Sequence, residues 1–230
     1  MLIKWFPRSW IQIKTNQFVI YIDPSFISTY YKNNSNIIRY SDAEDDFLPE
    51  NLEKANLILI SHIHKDHCKE VNINRLSTDN TIILTPKKYQ KDNNKNIRII
   101  KPNTECMIEN LKIEIVNAYN IKEGHSTRKV HKKGDCVGYI LQIEDKKLYF
   151  SGDTDLIPEM KELTNIEVAF LPIGGVFTMD LDEAVEATML IKPQIAIPVH
   201  HLKVNPMDYK RLLENNIQVK VLNIGEEIMI

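Results

Sequence analysis

Runs of apolar residues, either continuous or alternating with polar ones, predict a chain that begins as a series of short strands. Apolar and polar positions partly alternate over residues 10–14 and 18–22, a pattern typical of strands with one buried face. Residues 57–61 are almost continuously apolar, which indicates a fully buried strand. Similar patterns predict further strands over residues 81–85, 97–101, 111–116, 137–143 and 146–151.

The rest of the chain alternates between strand and helix patterns. Strands are predicted over residues 168–171, 194–199 and 217–222, and helices over residues 181–191 and 207–214. The first helix has the clearest limits, because Asp180 can cap its start and Pro193 stops its continuation. Its inward positions follow the 3.6-residue period: Leu181, Ala184, Val185, Thr188 and Ile191. The expected fold class is therefore α/β or α+β, with packed layers.

The composition is that of an ordinary globular protein, with 43% hydrophobic and 26% charged residues. A length of 230 residues suits one generous core, so we expect a single domain over residues 1–230. The apolar runs are too short to span a bilayer, and the first residues lack a signal-peptide pattern. Cys68, Cys106 and Cys136 form no CxxC pair, which suits a reducing compartment. We expect a cytoplasmic protein with no membrane partner.

The charge balance gives little reason to expect nucleic-acid binding. The formal net charge is −2, whereas binding to a phosphate backbone usually requires a basic face. A short basic run over residues 129–133 fits either a local basic patch or a solvated loop. A polar stretch over residues 30–50 is expected at the surface. These features favour a small-molecule partner, and they are compatible with a homo-oligomer.

Three histidines and an aspartate follow the buried strand within six residues: His62, His64, Asp66 and His67. Neutral imidazoles and a carboxylate suit Zn²⁺ above all, and also Mn²⁺ or Fe²⁺. On extended chain, His62 and His64 point to the same side. Asp66 and His67 can then turn in toward a second position. The cluster predicts a site for one or two divalent metal ions.

Two further aspartates stand where predicted strands end. Asp153 lies in the segment Ser-Gly-Asp-Thr-Asp over residues 151–155. Burying its carboxylate without a partner would be costly, which favours a metal ion or a basic partner; an ordinary turn aspartate is the alternative. Asp23 precedes a proline, and it either orients a ligand histidine or starts a turn.

Four motifs, in order along the chain, resemble those of the metallo-β-lactamase superfamily. Residues 62–67 are similar to its H-x-H-x-D-H signature, and residues 151–155 are similar to its G-D-T segment. Residues 171–180 and 197–200 resemble the ascorbate-6-phosphate lactonase-like branch, which includes many metal-dependent hydrolases. The resemblance implies a four-layer αββα sandwich, with metal ions at one edge between two sheets.

The resemblance also implies a role for each motif residue. The implied ligands are, in chain order, His62, His64, Asp66, His67, Asp153 and His200. The first two histidines would hold the first ion. Asp66, His67 and His200 would hold the second, and Asp153 would bridge the two ions.

The third ligand of the first ion has three candidates. His131 is preferred, because residues 131–139 resemble an H-x-K-G-x-x-V-G-Y stretch of related sequences and lead into a strand. His125 and Asn120 are the alternatives, since other branches place this ligand directly after the preceding strand. The chain also departs from the family pattern near the N-terminus, where many relatives carry Gly-His-Ser or Gly-His-Ala. This chain has no histidine there, and Arg8 or Ser9 takes its place.

Together these features predict a metal-dependent hydrolase. Bound metal ions lower the pKa of a water molecule and polarise the group that it attacks, while Asp66 and Asp153 orient that water and accept its proton. No Gly-x-Ser-x-Gly elbow or P-loop offers a competing chemistry. The expected substrate is a small-molecule ester, lactone, amide or phosphodiester. The alternatives are a nucleic-acid processing metallonuclease and a metal-binding sensor without turnover.

Overall fold

The computed structural model describes residues 1–25, 52–87 and 96–230, so the polar stretch over residues 30–50 lies outside it. The described residues form two compact units, one of Met1–Ile99 with Leu222–Ile230 and one of Ile100–Val221. Each unit contains one seven-stranded mixed sheet. The expectation of a single domain over residues 1–230 stays a prediction.

The described residues of the first unit form a helix, α1 (Glu70–Leu76), and seven strands. The strands are β1 (Leu2–Trp5), β2 (Ile11–Lys14), β3 (Val19–Ile22), β4 (Leu57–Leu59), β5 (Ile82–Thr85), β6 (Ile97–Ile99) and β14 (Glu227–Met229). Their order in the sheet is β14-β1-β2-β3-β4-β5-β6. Pairing is antiparallel from β14 to β3 and parallel from β3 to β6.

Burial explains why the middle of this sheet forms where it does. All three residues of β4 are buried, and the buried Ile58 and Ile60 belong to a cluster with Ile73 and Leu76 of α1. Trp10 joins the same cluster from the start of β2. The sheet and α1 are therefore held by one apolar core, which fixes the chain that leaves β4.

The second unit contains seven strands, two α-helices and a 3₁₀ turn (Pro158–Glu162). The strands are β7 (Thr104–Ile108), β8 (Leu111–Ala118), β9 (Cys136–Ile143), β10 (Lys146–Phe150), β11 (Val168–Pro172), β12 (Ile195–Val199) and β13 (Gln218–Val219). The helices are α2 (Leu181–Ile191) and α3 (Pro206–Leu213). The order in the sheet is β13-β12-β11-β10-β9-β8-β7.

The direction of the central strands determines where their ends meet. Strands β10, β11 and β12 run parallel, so their carboxyl ends lie at one edge of the sheet. Strand β9 is antiparallel to β10, so it starts at that same edge. In α/β proteins this carboxyl edge is where ligands bind. Helices α2 and α3 pack on the sheet through buried residues, among them Ala184, Ala187, Tyr209 and Leu213.

Helix α2 confirms the clearest prediction of the sequence, residue for residue. Asp180 caps it by accepting a hydrogen bond from the backbone N–H of Glu183 at 2.9 Å. The helix ends at Ile191, and Lys192 takes a left-handed conformation, with φ of 53°, directly before Pro193. Within the described ranges, no helix has the length and apolar character needed to cross a membrane.

Within the described residues, the sequence patterns missed five short elements: β1, β7, β14, α1 and the 3₁₀ turn. Strands β1 and β14 pair with each other at one side of the first sheet, and β7 lies at the edge of the second with several exposed residues. Helix α1 has only seven residues and no side-chain N-cap. Elements of this length carry too few apolar positions to reveal a period, and pairing with a neighbour decides their structure.

The cap at Asp180 predicts a measurable loss of stability. Replacing Asp180 with Ala removes the acceptor for Glu183, which should lower the free energy of unfolding by about 1 kcal/mol in urea. Asp180→Asn keeps a capping oxygen and should retain most of the stability. Glu186→Ala, an exposed change within the same helix, is the control and should change stability by less than about 0.5 kcal/mol. Equal effects of Asp180→Ala and Glu186→Ala would contradict the capping role.

Candidate metal centre

The H-x-H-x-D-H segment leaves the first sheet at the end of β4 and turns back on itself. The carbonyl of His64 accepts hydrogen bonds from the backbone N–H groups of His67 and Cys68, at 2.9 and 2.8 Å. This turn brings three rings together: the His62 ring centroid lies 4.6 Å from that of His64 and 4.1 Å from that of His67. His62 and His67 are buried and His64 is exposed. The first unit therefore gathers the three histidines that the sequence singled out.

Asp23 orients two of these histidines, one directly and one through a serine. Its Oδ2 lies 2.7 Å from His67 Nδ1 and accepts a hydrogen bond from Ser61 Oγ at 2.5 Å. Ser61 Oγ lies 2.9 Å from His62 Nδ1. The single hydroxyl proton of Ser61 goes to Asp23, so this oxygen accepts from His62. With Asp23 ionised, both histidines carry the proton on Nδ1 and present Nε2 as a lone pair.

Asp23 itself is fully buried at the end of β3, in a left-handed conformation with φ of 45°. Burial raises the pKa of its carboxyl, and the charge and hydrogen bond of His67 together with the hydrogen bonds of Ser61 oppose that rise. A carboxylate behind a metal-binding histidine is a common support in metalloproteins. Of the two interpretations that the sequence allowed, the structure shows the one in which Asp23 orients a histidine.

Two other side chains of this segment, Asp66 and Cys68, lie next to His67 in the sequence. Asp66 Oδ2 lies 3.9 Å from His67 Nε2 and 3.2 Å from a guanidinium nitrogen of Arg8. Burial raises the pKa of the Cys68 thiol to about 12. This shift disfavours the thiolate, which is the form of a cysteine that binds metal ions.

The second unit brings three predicted ligands together at the carboxyl edge of its sheet. Asp153 follows β10, His200 follows β12, and His131 precedes β9. All three are buried. His131 Nε2 lies 3.7 Å from Asp153 Oδ2, and His200 Nε2 lies 3.6 Å from the same oxygen. One carboxylate oxygen therefore faces two imidazole nitrogens.

These two distances are informative because they exceed that of a hydrogen bond. An N–H···O bond has its heavy atoms about 2.7–3.2 Å apart. Two ligand atoms on one tetrahedral zinc ion, each about 2.0–2.2 Å from the metal, stand roughly 3.3–3.6 Å apart. The 3.6 Å distance to His200 falls within this spacing and the 3.7 Å distance to His131 is just beyond it. This donor set suits a borderline divalent ion.

The orientation of His131 comes from a backbone carbonyl. His131 Nδ1 lies 3.1 Å from the carbonyl oxygen of Phe177, which can only accept, so Nδ1 carries the proton and Nε2 is the lone pair. Asn120 holds both partners: its Oδ1 accepts from the His131 backbone N–H at 2.9 Å, and its Nδ2 donates to Phe177 O at 2.9 Å. Asn120 therefore supports His131 in this structure.

His125, the other alternative ligand, lies in a different environment. Its ring is half exposed and its Nδ1 lies 2.9 Å from Asp180 Oδ1, at the start of α2. The hydrogen bond and charge of Asp180 raise the pKa of His125. The side chains of His125, Asp180 and Glu183 could together hold a cation. However, Asp180 already caps α2, and His125 already contacts Asp180. Of the three candidates, only His131 is brought next to Asp153.

A buried ion pair fixes the loop that carries these residues. Asp155 is fully buried, and its Oδ2 accepts hydrogen bonds from Lys129 Nζ at 3.0 Å and from the backbone N–H of Ile121 at 2.9 Å. Lys129, part of the basic run noted in the sequence, is thus half of an ion pair. This network was missed by the sequence reasoning, although Asp155 stands within the motif of residues 151–155.

Glycines allow the backbone to approach the site closely. A Cβ at Gly174 would lie 2.5 Å from the carbonyl oxygen of His200. Gly152 has φ of 67°, and a Cβ there would lie 2.5 Å from the carbonyl oxygen of Val137. Any side chain at these two positions would push against backbone, so both glycines hold the turns that present Asp153 and His200.

A comparison with known sequences places the chain in a family. A model of the β-lactamase superfamily domain matches residues 2–200. A metal-dependent hydrolase of the UPF0173 group from Nanoarchaeum equitans is 33% identical over 191 residues, which cover 78% of this chain and 87% of that protein. A hydrolase of the same group from Listeria welshimeri is 29% identical over 242 residues and matches the whole of both chains. The ascorbate-6-phosphate lactonase-like branch stays a prediction.

Solved structures agree with this family. A proposed metal-dependent hydrolase from Parabacteroides distasonis matches with a TM-score of 0.79 and 28% identity, over 97% of this chain and 93% of that one. A metallo hydrolase from Ignicoccus hospitalis, at 24% identity and a TM-score of 0.73, shows the shared fold over 99% and 97% of the chains. These likenesses confirm the expected α/β sandwich fold class. The chain belongs to the metallo-β-lactamase superfamily and is a metal-dependent hydrolase.

Proposed function

We propose that this hydrolase cleaves a small-molecule ester, lactone, amide or phosphodiester with a water molecule activated by one or two divalent metal ions, Zn²⁺ being the expected ion. The observation that carries the proposal is the placement of Asp153 Oδ2, 3.7 and 3.6 Å from the Nε2 atoms of His131 and His200. A small-molecule substrate is favoured by the net charge of −2, and a cytoplasmic location by the sparse cysteines.

The proposed ligand set follows the family resemblance of the motifs. His62, His64 and His131 would hold one ion, and Asp66, His67 and His200 the other, with Asp153 between the two. The support within each unit is chemical: three imidazoles and a carboxylate in the first, and two imidazoles and a carboxylate in the second, all suited to the same ions.

The residues of this chain have a defined task in the proposed reaction. When bound, the metal ions would lower the pKa of a water molecule and polarise the oxygen of the bond under attack. Asp66 and Asp153 would orient the attacking water and accept its proton. The water oxygen forms a bond to the carbonyl carbon or phosphorus, the bond to the leaving group breaks, and the leaving group receives that proton.

The proposal predicts different outcomes for two histidines of one loop. His131→Ala should lower the metal content of the purified protein by about one equivalent per chain and reduce hydrolysis of a panel of esters, lactones, amides and phosphodiesters by at least about 100-fold. His125→Ala is the matched control, since its ring is half exposed and lies beside Asp180. Elemental analysis and the same panel check both variants. Loss of metal in His125→Ala with full content in His131→Ala would contradict the assignment.

A second prediction concerns Asp23, which would act on a bound metal ion only through His67 and Ser61. Asp23→Asn removes the carboxylate behind His67 and Ser61, so zinc affinity should fall by about 10- to 100-fold. The measurement is competition for Zn²⁺ with a chromogenic chelator, together with thermal unfolding of the apoprotein to show that the fold persists. Glu53→Gln, a change at an exposed ion pair with Lys14, is the control. Unchanged zinc affinity in folded Asp23→Asn would exclude the orienting role.

A further inference from the structure

Arg8 stands in a strained turn between β1 and β2. Its φ is 66°, in the left-handed region that residues other than glycine rarely occupy. The turn is closed by a backbone hydrogen bond of 2.9 Å from Phe6 N to Trp10 O. The indole N–H of Trp5 donates to the Arg8 carbonyl at 3.1 Å. Strain of this kind persists where the surrounding structure enforces it, and it concentrates at functional sites.

This backbone conformation places the guanidinium of Arg8 beside the carboxylate of Asp66. One of its terminal nitrogens lies 3.2 Å from Asp66 Oδ2. The Arg8 side chain is only 12% exposed and that of Asp66 26% exposed. Solvent screens such a partly buried pair less than a surface pair, so the charge of Arg8 acts strongly on this carboxylate.

The oxygen that Arg8 contacts is also the one that faces His67. Asp66 Oδ2 lies 3.9 Å from His67 Nε2, the nitrogen left as a lone pair when Asp23 holds Nδ1. A metal ion held by Asp66 and His67 would therefore meet the positive charge of Arg8 at its own ligand oxygen. Sequence reasoning left Arg8 and Ser9 open as replacements for a family histidine; Ser9 is 1% exposed, and Arg8 is the one that contacts a proposed ligand.

We propose that Arg8 is a positioning residue that holds the Asp66 carboxylate and weakens the binding of a metal ion to it, so that the two metal positions differ in affinity. This inference rests on the proposed metal role of Asp66. Unlike a neutral histidine, arginine keeps its charge at every physiological pH. A fixed charge within about 4–6 Å changes the affinity of a carboxylate for a proton by about tenfold or more. The same electrostatics act on a divalent ion.

The test is a titration of the full-length apoprotein with Zn²⁺ alone, in competition with a chromogenic chelator, which yields stepwise affinities. Asp66→Asn identifies the step that depends on Asp66, and we expect it to remove the weaker one. Arg8→Gln and Arg8→Met should tighten that step by about tenfold, because the charge is lost and neither new side chain is a usual zinc ligand. Arg8→Lys keeps the charge and should leave it weak.

Two controls separate this effect from a general change in charge or fold. Lys14→Gln removes one positive charge from the same unit, at an exposed ion pair with Glu53, and should leave both steps unchanged. Thermal unfolding of each apoprotein reports the fold, and Arg8→Met serves if Arg8→Gln does not fold. Unchanged or weaker binding at the Asp66-dependent step in the neutral variants would overturn the role of Arg8 alone. If Asp66→Asn changes neither step, the proposed metal role of Asp66 fails as well.

Discussion

An imidazole can bind a metal ion only through a ring nitrogen that carries no proton. The proposed metal centre therefore depends on which nitrogen of each histidine holds the proton. His67 is held at Nδ1 by Asp23, His62 by Ser61, and His131 by the carbonyl of Phe177. When such a ring is neutral, its opposite nitrogen carries the lone pair and has a fixed direction. Because these side chains are already ordered, metal binding does not have to order them, and the same contacts disfavour the other tautomers.

The fold supplies what these contacts require. In the first unit, β3 and β4 run parallel and end side by side, which brings Asp23 next to Ser61 with hydrogen bonds to both its N–H and its hydroxyl. In the second unit, the parallel strands β10 and β12 bring Asp153 and His200 to one edge. Close backbone approach at Gly174 completes that edge. The charged groups are thus placed by apolar strands whose own stability comes from burial.

Much of this could be predicted from the sequence, for reasons that particular segments make plain. Helix α2 is long enough to show the helical period of apolar residues, and its cap at one end and proline at the other mark its limits. Helix α1 is too short to show a period. The His62–His67 cluster was visible because its residue types are rare together. The support of His131 could not be predicted, because a carbonyl such as that of Phe177 has no signature in sequence. The sequence also allows Asn120 as a ligand, but in the structure its amide hydrogen-bonds to backbone groups.

The proposed ligand assignment draws motifs far apart in the chain into one metal centre. Its most direct test is a crystal structure of protein purified without chelator, with anomalous diffraction data collected at the zinc edge. We expect anomalous peaks within about 2.0–2.2 Å of His131 Nε2, His200 Nε2 and Asp153, with histidines of residues 62–67 bound to the same ions. Peaks only at His125 and Asp180, or fully loaded protein with Asp153 and His200 bound to no metal, would contradict it.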